Sequence, residues 1–212
     1  SLCYSIDDLN TRESEELFRA LGRIGGPAVF ELLRKTNSAF VLTLGQLQDP
    51  RARLLDSFDT HSDLKLNAYR LQGALPQAYF VTGVRHAPSH REAAGIFIDP
   101  AFPAEREVIL EEPRIAERPG VADMGKVKIL SYENQQVWCE VQAMAPGFLV
   151  LLDSYYPGWC AYVDGERAEI LRANYAFRAV AIPAGNHEVC FRYRPLSFSV
   201  GSGVTLATLL LL

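Results

Sequence analysis

The chain has 212 residues, 49% hydrophobic and 22% charged, so it can bury the core of one large domain or two small ones. Its formal net charge of −4 provides no broad basic field, which excludes the surface typical of nucleic-acid-binding proteins. We therefore expect no nucleic-acid partner.

The N-terminal part begins with helical periodicity. Residues 12–35 carry two helical patterns separated by Gly25, Gly26 and Pro27. Residues 38–44 form a short apolar run suited to a buried strand. Residues 64–71 alternate between apolar and polar side chains, and the apolar segment 78–84 follows Pro76, so these two segments are predicted to be neighbouring strands.

Mixed elements follow. Residues 90–98 predict a short helix that ends before Asp99 and Pro100, and residues 106–112 predict a strand. Residues 57–63, with their acids, serines and one histidine, are interpreted as a solvated loop. Residues 113–125 contain two prolines and two glycines and are interpreted as a connector.

The C-terminal part is dense in strand patterns. Seven short strands are predicted at 126–133, 136–143, 147–153, 159–164, 167–173, 176–182 and 187–194. Asp164 and Gly165 indicate a two-residue hairpin turn. This spacing is typical of an antiparallel sandwich. We therefore predict an α+β fold in which a helix-containing part (1–120) packs on, or is continuous with, a jelly-roll-like antiparallel β-sandwich (121–200).

The C-terminal segment 201–212 has no charge and ends on four leucines. It is too short to cross a bilayer, which needs about 20 apolar residues. It is either a last buried strand or helix or the start of a truncated transmembrane helix. We favour the helix, because soluble chains seldom expose such a run.

The stretch 153–166 is rich in aromatic side chains and turn residues. The period of a strand puts Trp159, Ala161 and Val163 on one face, which we interpret as the core face. A rim at the strand ends could hold a sugar, because rings cover its C–H faces while amide and guanidinium groups bond its hydroxyls. Its candidate ligand-binding residues are Tyr155, Tyr156, Arg172, Asn174, Tyr175 and Arg178. The alternative is edge packing with hydrogen-bonded hydroxyl groups.

The sequence gives no sign of an independent catalytic or metal centre. His86 and His90 have helical spacing, but Pro88 lies between them and no third ligand is near, so we expect no metal site. Phosphate-binding, dinucleotide-binding and nucleophile-elbow motifs are absent from the sequence. We expect no cofactor and assign no catalytic residue.

The segment LVLLDSYYPGWCAYVDGERAEILRANYAFRAVAIPAGNHEVCFRYRP (149–195) resembles the C-terminal extracytoplasmic region of the YfhO family of bacterial polytopic membrane proteins. LLRKTNSAFVLT, YRLQGALPQAYFV and GIFIDPAFPAEREVILE extend the resemblance upstream, so that it covers most of residues 28–205. Members of this family look like GT-C-type glycosyltransferases, which use polyprenyl-phosphate sugars. Their catalytic carboxylates lie in loops that have no counterpart in this chain.

The resemblance implies an extracytoplasmic accessory domain at the bacterial cell membrane, attached to the transmembrane part of the same polypeptide. Such a domain would bind or orient a glycan or a polyprenyl-phosphate sugar. The fragment itself would not be catalytic, although its parent protein could be a glycosyltransferase. The alternative is a structural or protein-interaction domain that binds no ligand.

Two cysteines stand where similar sequences carry charged residues. Cys160 and Cys190 are both predicted to lie on the outer faces of their strands. A disulfide could replace a cross-strand ion pair there, because an extracytoplasmic location permits one. The alternative is two unpaired thiols.

Overall fold

The structure is a computed structural model that describes residues 27–59 and 65–195 and the single residue 208. Within the two ranges the chain forms two helices, α1 (Pro27–Lys35) and α2 (His90–Ile98). The strands are β1 (Phe40–Thr43), β2 (Ala52–Asp59), β3 (Lys65–Leu71), β4 (Ala78–Val81), β5 (Gly83–His86), β6 (Glu107–Leu110), β7 (Gly125–Glu133), β8 (Gln136–Ala143), β9 (Gly147–Ser154), β10 (Trp159–Val163), β11 (Glu166–Ala168), β12 (Leu171–Ala173), β13 (Phe177–Ile182) and β14 (Gly185–Tyr193).

The strands form three sheets. A small sheet has the order β1-β3-β2, a five-stranded sheet has the order β11-β10-β14-β8-β7, and a six-stranded sheet has the order β4-β9-β13-β12-β6-β5. All their strand pairs are antiparallel except β5 with β6, which is parallel.

The six-stranded sheet is buried on both faces. Along β9, Leu149 and Leu151 belong to a hydrophobic cluster shared with Val141 and Phe191 of the five-stranded sheet. The intervening side chains, such as Val150, belong to a second cluster that contains residues of both helices. Because successive side chains of a strand point to opposite faces and both faces are covered, β9 carries apolar residues at five successive positions, 148–152.

Lys35, the last residue of α1, joins the two helices. Its side chain is fully buried, and its Nζ donates to the carbonyl oxygens of Phe97, at 3.3 Å, and Asp99, at 2.5 Å. These carbonyls lie at the C-terminal end of α2, where helical carbonyls lack partners within the helix and a cation is favourable. Burial nevertheless lowers the pKa of Lys35 to about 8.

The structure confirms the predicted antiparallel β-structure and bears out the α+β class in part, since strands far outnumber helices. The two larger sheets share a hydrophobic cluster, while the jelly-roll-like sandwich stays a prediction. Asp164 and Gly165 have positive φ angles, of 52° and 85°, and join β10 to β11 as the predicted hairpin turn.

Several predictions about the strands were wrong. Residues 52–59 form β2, where the sequence indicated a loop from residue 57. The predicted strands 78–84 and 167–173 are each two strands, β4 with β5 and β11 with β12. Segment 64–71 does not pair with 78–84, because β3 lies in the small sheet whereas β4 pairs with β9. Periodicity detected β3 and β4 but missed β2, and it carries no information on which distant strand completes each sheet.

Backbone hydrogen bonds cross the predicted domain boundary at residue 120. The six-stranded sheet combines β4, β5 and β6 from before this residue with β9, β12 and β13 from after it. The six-stranded sheet therefore joins segments from both sides of residue 120. The predicted helix within 12–24 and the segment 201–212 lie outside the ranges described.

Candidate functional site

The structure separates the six predicted ligand-binding residues into two groups. Asn174, Tyr175 and Arg178 are buried, with 0%, 3% and 1% of their surface exposed. Tyr156 is 40% exposed, and Tyr155 and Arg172 are half-buried. The six residues therefore do not form one open rim, since only Tyr155, Tyr156 and Arg172 reach solvent to an appreciable extent.

Asn174 ties the turn after β12 to the core. Its Oδ1 accepts a hydrogen bond from the backbone N–H of Ile109 at 2.8 Å, and its Nδ2 donates to the Tyr79 hydroxyl at 2.9 Å. Its φ of +48° lies in the left-handed region, which asparagine tolerates better than most residues. These contacts give Asn174 a structural role.

Arg178 lies between the two larger sheets. Its Nη2 donates to Asp153 Oδ2 at 2.5 Å, and its guanidinium carbon lies 3.9 Å from the centre of the Trp159 ring. Asp153 Oδ1 also accepts hydrogen bonds from Gln77 Nε2 and the Tyr132 hydroxyl, both at 2.6 Å. This buried network neutralises the arginine, and it accounts for the inward position of Trp159.

Two of the more accessible residues, Tyr155 and Arg172, belong to a group of stacked side chains that we name the Arg172 stack. It consists of the flat groups of Tyr155, Arg172, His90 and Tyr175 in that order. The Arg172 guanidinium carbon lies 4.8 Å from the centre of the Tyr155 ring, and its Nη1 lies 3.5 Å from both ring nitrogens of His90. The His90 ring stacks on Tyr175 with a centroid separation of 4.3 Å and an interplanar angle of 22°.

Glu111 completes the polar side of the Arg172 stack. Its Oε1 lies 2.8 Å from His90 Nδ1, and the two side chains are 28% and 35% exposed. An aromatic ring, a guanidinium, an imidazole and a carboxylate thus share one partly open surface. Such a combination can pack against the C–H groups of a ligand while bonding its hydroxyl groups or anionic groups.

The fold positions the Arg172 stack through strand register and one helix end. Leu110 of β6 pairs with Ala173 of β12, so Glu111 and Arg172 flank the same pair on adjacent strands. His90 is the first residue of α2, which begins there because the Ser89 Oγ accepts a hydrogen bond from the Glu92 N–H at 3.3 Å.

Tyr175 occupies a strained position in the same site. Its φ of +74° lies in the left-handed region, which costs a bulky residue about 1–2 kcal/mol. Strained backbone is often kept at functional sites. Here it holds the Tyr175 ring against His90.

The sequence identified three members of the Arg172 stack and missed the fourth, His90, as well as the adjoining Glu111. His90 was considered only as a metal ligand, and no role was proposed for Glu111. Ser89 signals the start of a helix at His90, but no local pattern indicates that this helix end meets β12.

The cysteines differ from the prediction. Cys160 and Cys190 are free thiols, so the predicted disulfide is not formed. Cys160 pairs with Arg192 and Cys190 with Tyr162, which makes the cysteines diagonal neighbours. The Cα atoms of diagonal neighbours lie about 7–8 Å apart, farther than most disulfides span. Cys190 is only 4% exposed although its side chain lies on the outer face of the sheet, and burial raises its pKa.

Two general features of the described residues bear on the type of site. Within ranges 27–59 and 65–195, no helix is long and apolar enough to cross a membrane. The same residues contain no group of three histidine, cysteine or acidic side chains that could hold a metal ion.

The fold and this site define a β-rich domain with a partly open aromatic and charged surface beside the inner strands β6 and β12 of its six-stranded sheet. Residues 121–205 match the family model described as bacterial membrane protein YfhO. The resemblance seen in the sequence is therefore confirmed over these residues, which include β7 to β14 and three members of the Arg172 stack. No curated protein and no solved structure gives a significant match.

Proposed function

We propose that this chain is an extracytoplasmic accessory domain of a bacterial membrane glycosyltransferase-like protein, and that its Arg172 stack binds or orients a glycan or a lipid-linked sugar. The match to a family of bacterial membrane proteins supports association with a membrane. The observation that carries the ligand-binding part is the accessible contact between Tyr155 and Arg172, at 4.8 Å, beside the Glu111 carboxylate.

The chemistry of the Arg172 stack suits a sugar. A tyrosine ring gives a flat apolar surface for C–H groups, and a guanidinium and a carboxylate provide fixed donors and acceptors for hydroxyl groups. Arg172 also suits the phosphate of a polyprenyl-phosphate donor, because its planar fork can bond two oxygens at once.

A structural or protein-interaction role is the second candidate. The burial of Asn174 and Arg178, each with core partners, favours it for this half of the predicted site. Under this alternative the Arg172 stack would hold α2 against the six-stranded sheet and bind no sugar.

The test is titration of the 212-residue chain with bacterial envelope glycans and with glycosyl phosphates, followed by NMR and calorimetry. The variants Tyr155→Ala and Arg172→Gln should each weaken binding at least about fivefold, which corresponds to the loss of one hydrogen bond to a charged group or one ring contact. Arg167→Gln is the matched control, since Arg167 is exposed on β11 of the other sheet. Absence of binding at millimolar glycan, or equal weakening by Arg167→Gln, would leave the structural alternative.

A further inference from the structure

An unusual number of apolar side chains is exposed on and around the small sheet, whose outer face is the side turned away from the rest of the protein. Half of the large apolar side chains that are exposed among the described residues lie between positions 40 and 58. They are Phe40 at 62%, Leu44 at 44%, Leu54 and Leu55 at 50% and Phe58 at 49%. Strand register puts Phe40 and Phe58 on the outer face, whereas Leu54, opposite Tyr69, lies on the other side of the sheet. A concentration of exposed apolar side chains in one part of the surface is typical of a site of interaction with a protein or a membrane.

Strand register shows how this face is built. In β3 the side chains of Asn67, Tyr69 and Leu71 are 4%, 4% and 5% exposed, so this side packs on the rest of the protein. Leu66 and Ala68 therefore point the other way. The same outer face receives Phe40 and Leu42 from β1, opposite Arg70 and Ala68, and Phe58 from β2, opposite Leu66.

One end of the outer face carries an unfavourable pair of charges. Arg53 of β2 lies directly opposite Arg70 of β3, and Phe40 lies opposite Arg70 on the other side. Like charges directly opposite each other destabilise a sheet. Both arginines are exposed, and among the described residues neither side chain has an ion pair or a hydrogen bond.

Asp56 is the acidic group on the same face. It lies opposite Ala68, one row away from the arginines, and its Oδ1 accepts a hydrogen bond from the N–H of Ser57 at 2.8 Å. The face thus keeps a net positive charge at the end where Phe40 is most exposed. An anionic group placed there would relieve the repulsion between the two guanidinium groups.

We propose that the outer face of the small sheet docks on a bilayer surface that contains anionic lipid. Phe40, Leu42, Leu66 and Phe58 would enter the boundary between headgroups and acyl chains, while Arg53 and Arg70 bind the lipid phosphates. The match of residues 121–205 to a family of bacterial membrane proteins supports the presence of a bilayer surface near this domain. The apolar rings and the paired cations together fit an anionic lipid better than a neutral protein surface.

The experiment is vesicle flotation with the 212-residue chain. Vesicles of phosphatidylcholine mixed equally with phosphatidylglycerol are compared with vesicles of phosphatidylcholine alone, at low and high salt. Every variant keeps residues 201–212, so differences between variants report on the outer face and not on that apolar segment. The charge variant is Arg53→Gln/Arg70→Gln and the apolar variant is Phe40→Ser/Phe58→Ser. Matched controls on the exposed face of β7 and after β8 are Lys126→Gln/Lys128→Gln and Met144→Ser.

The chain should bind the anionic vesicles preferentially, and added salt should weaken the binding. Removal of the arginines should weaken it by about fivefold for each charge, and removal of the two rings by at least about fivefold for each ring. The control variants should bind like the wild type. The charge variant should also keep or raise the midpoint of thermal unfolding, because it removes a repulsive pair.

Three results would overturn the proposal. One is no preference for anionic over neutral vesicles. Another is equal weakening by the outer-face variants and the β7 controls. The third is concentration-dependent self-association that the Phe40→Ser/Phe58→Ser change abolishes while vesicle binding is absent, which would assign the face to a second copy of the chain.

Discussion

Replacement of Asp153 by alanine is expected to destabilise the protein more than any change at its surface. The side chains of Asp153 and Arg178 are only 4% and 1% exposed, so their ion pair lies in a region of low dielectric. Removing one partner of a buried pair leaves an uncompensated charge and costs about 3–5 kcal/mol. The Gln77 amide and the Tyr132 hydroxyl would also lose the acceptor that they share.

The unfolding free energy can be measured by urea denaturation. The two tryptophans provide the fluorescence signal, and Trp159 lies against the Arg178 guanidinium. In a chain of this length the expected loss corresponds to a fall of roughly 10 °C in the thermal midpoint. Arg178→Met should cost a comparable amount, while the double variant Asp153→Ala/Arg178→Met should cost at least about 2 kcal/mol less than the sum of the two. A loss below about 1 kcal/mol for Asp153→Ala, or additive losses, would refute the buried ion pair.

Three further predictions concern single positions. Because burial lowers the pKa of Lys35 to about 8, the folded protein releases this proton at lower pH than the unfolded chain. Between pH 8 and about 10.5, the unfolding free energy of the wild type should therefore rise relative to that of Lys35→Met, by at most about 3 kcal/mol. Urea denaturation at several pH values measures both free energies, and a difference that stays constant with pH would contradict this. Asn174→Ala should cost about 2–4 kcal/mol, more than Tyr79→Phe, because it leaves the Ile109 N–H unpaired and puts alanine at a positive φ. Gly147→Ala should destabilise the protein by about 1–3 kcal/mol or more, since a Cβ would lie 2.4 Å from the Val81 carbonyl oxygen. Gly95→Ala, where nothing lies near the added Cβ in the middle of α2, should stabilise it by about 0.5–1 kcal/mol. Equal thermal midpoints for the two glycine variants would contradict this.

Local patterns predicted most elements of the fold but not their partners. Helix α2 was predicted with its observed bounds because Asp99 and Pro100 follow it, and the structure adds a cap by Ser89 at its first turn. The period of β3 was also recognised, yet its more polar side, with Asn67 and Tyr69, faces inward. Asn67 is accommodated because its side chain bonds with Ser57 and the Gly45 carbonyl. Such partners depend on tertiary packing, which no local period reveals.

The candidate site shows the same limit. Tyr155 and Arg172 could be proposed because aromatic and basic residues cluster near strand ends in the sequence. The burial of Arg178 could not be predicted, because it depends on Asp153, Gln77 and Tyr132, which come from three separate segments. An arginine that looks available in a sequence becomes a core residue once a carboxylate lies opposite it.

The order of strands in the six-stranded sheet has a consequence for how the chain folds during its synthesis. β4 (Ala78–Val81) lies at the edge of the sheet and pairs with β9 (Gly147–Ser154), and β6 pairs with β12. A nascent chain that emerges from its N-terminal end must therefore hold β4 and β6 without β9 and β12 until these later strands appear. Pairings so distant in sequence fold slowly, because the intervening loop must close before any contact forms. The apolar strands Ala78–Val81 and Glu107–Leu110 would meanwhile need shielding from aggregation, so a holding chaperone should matter more to the yield of this protein than to its final stability.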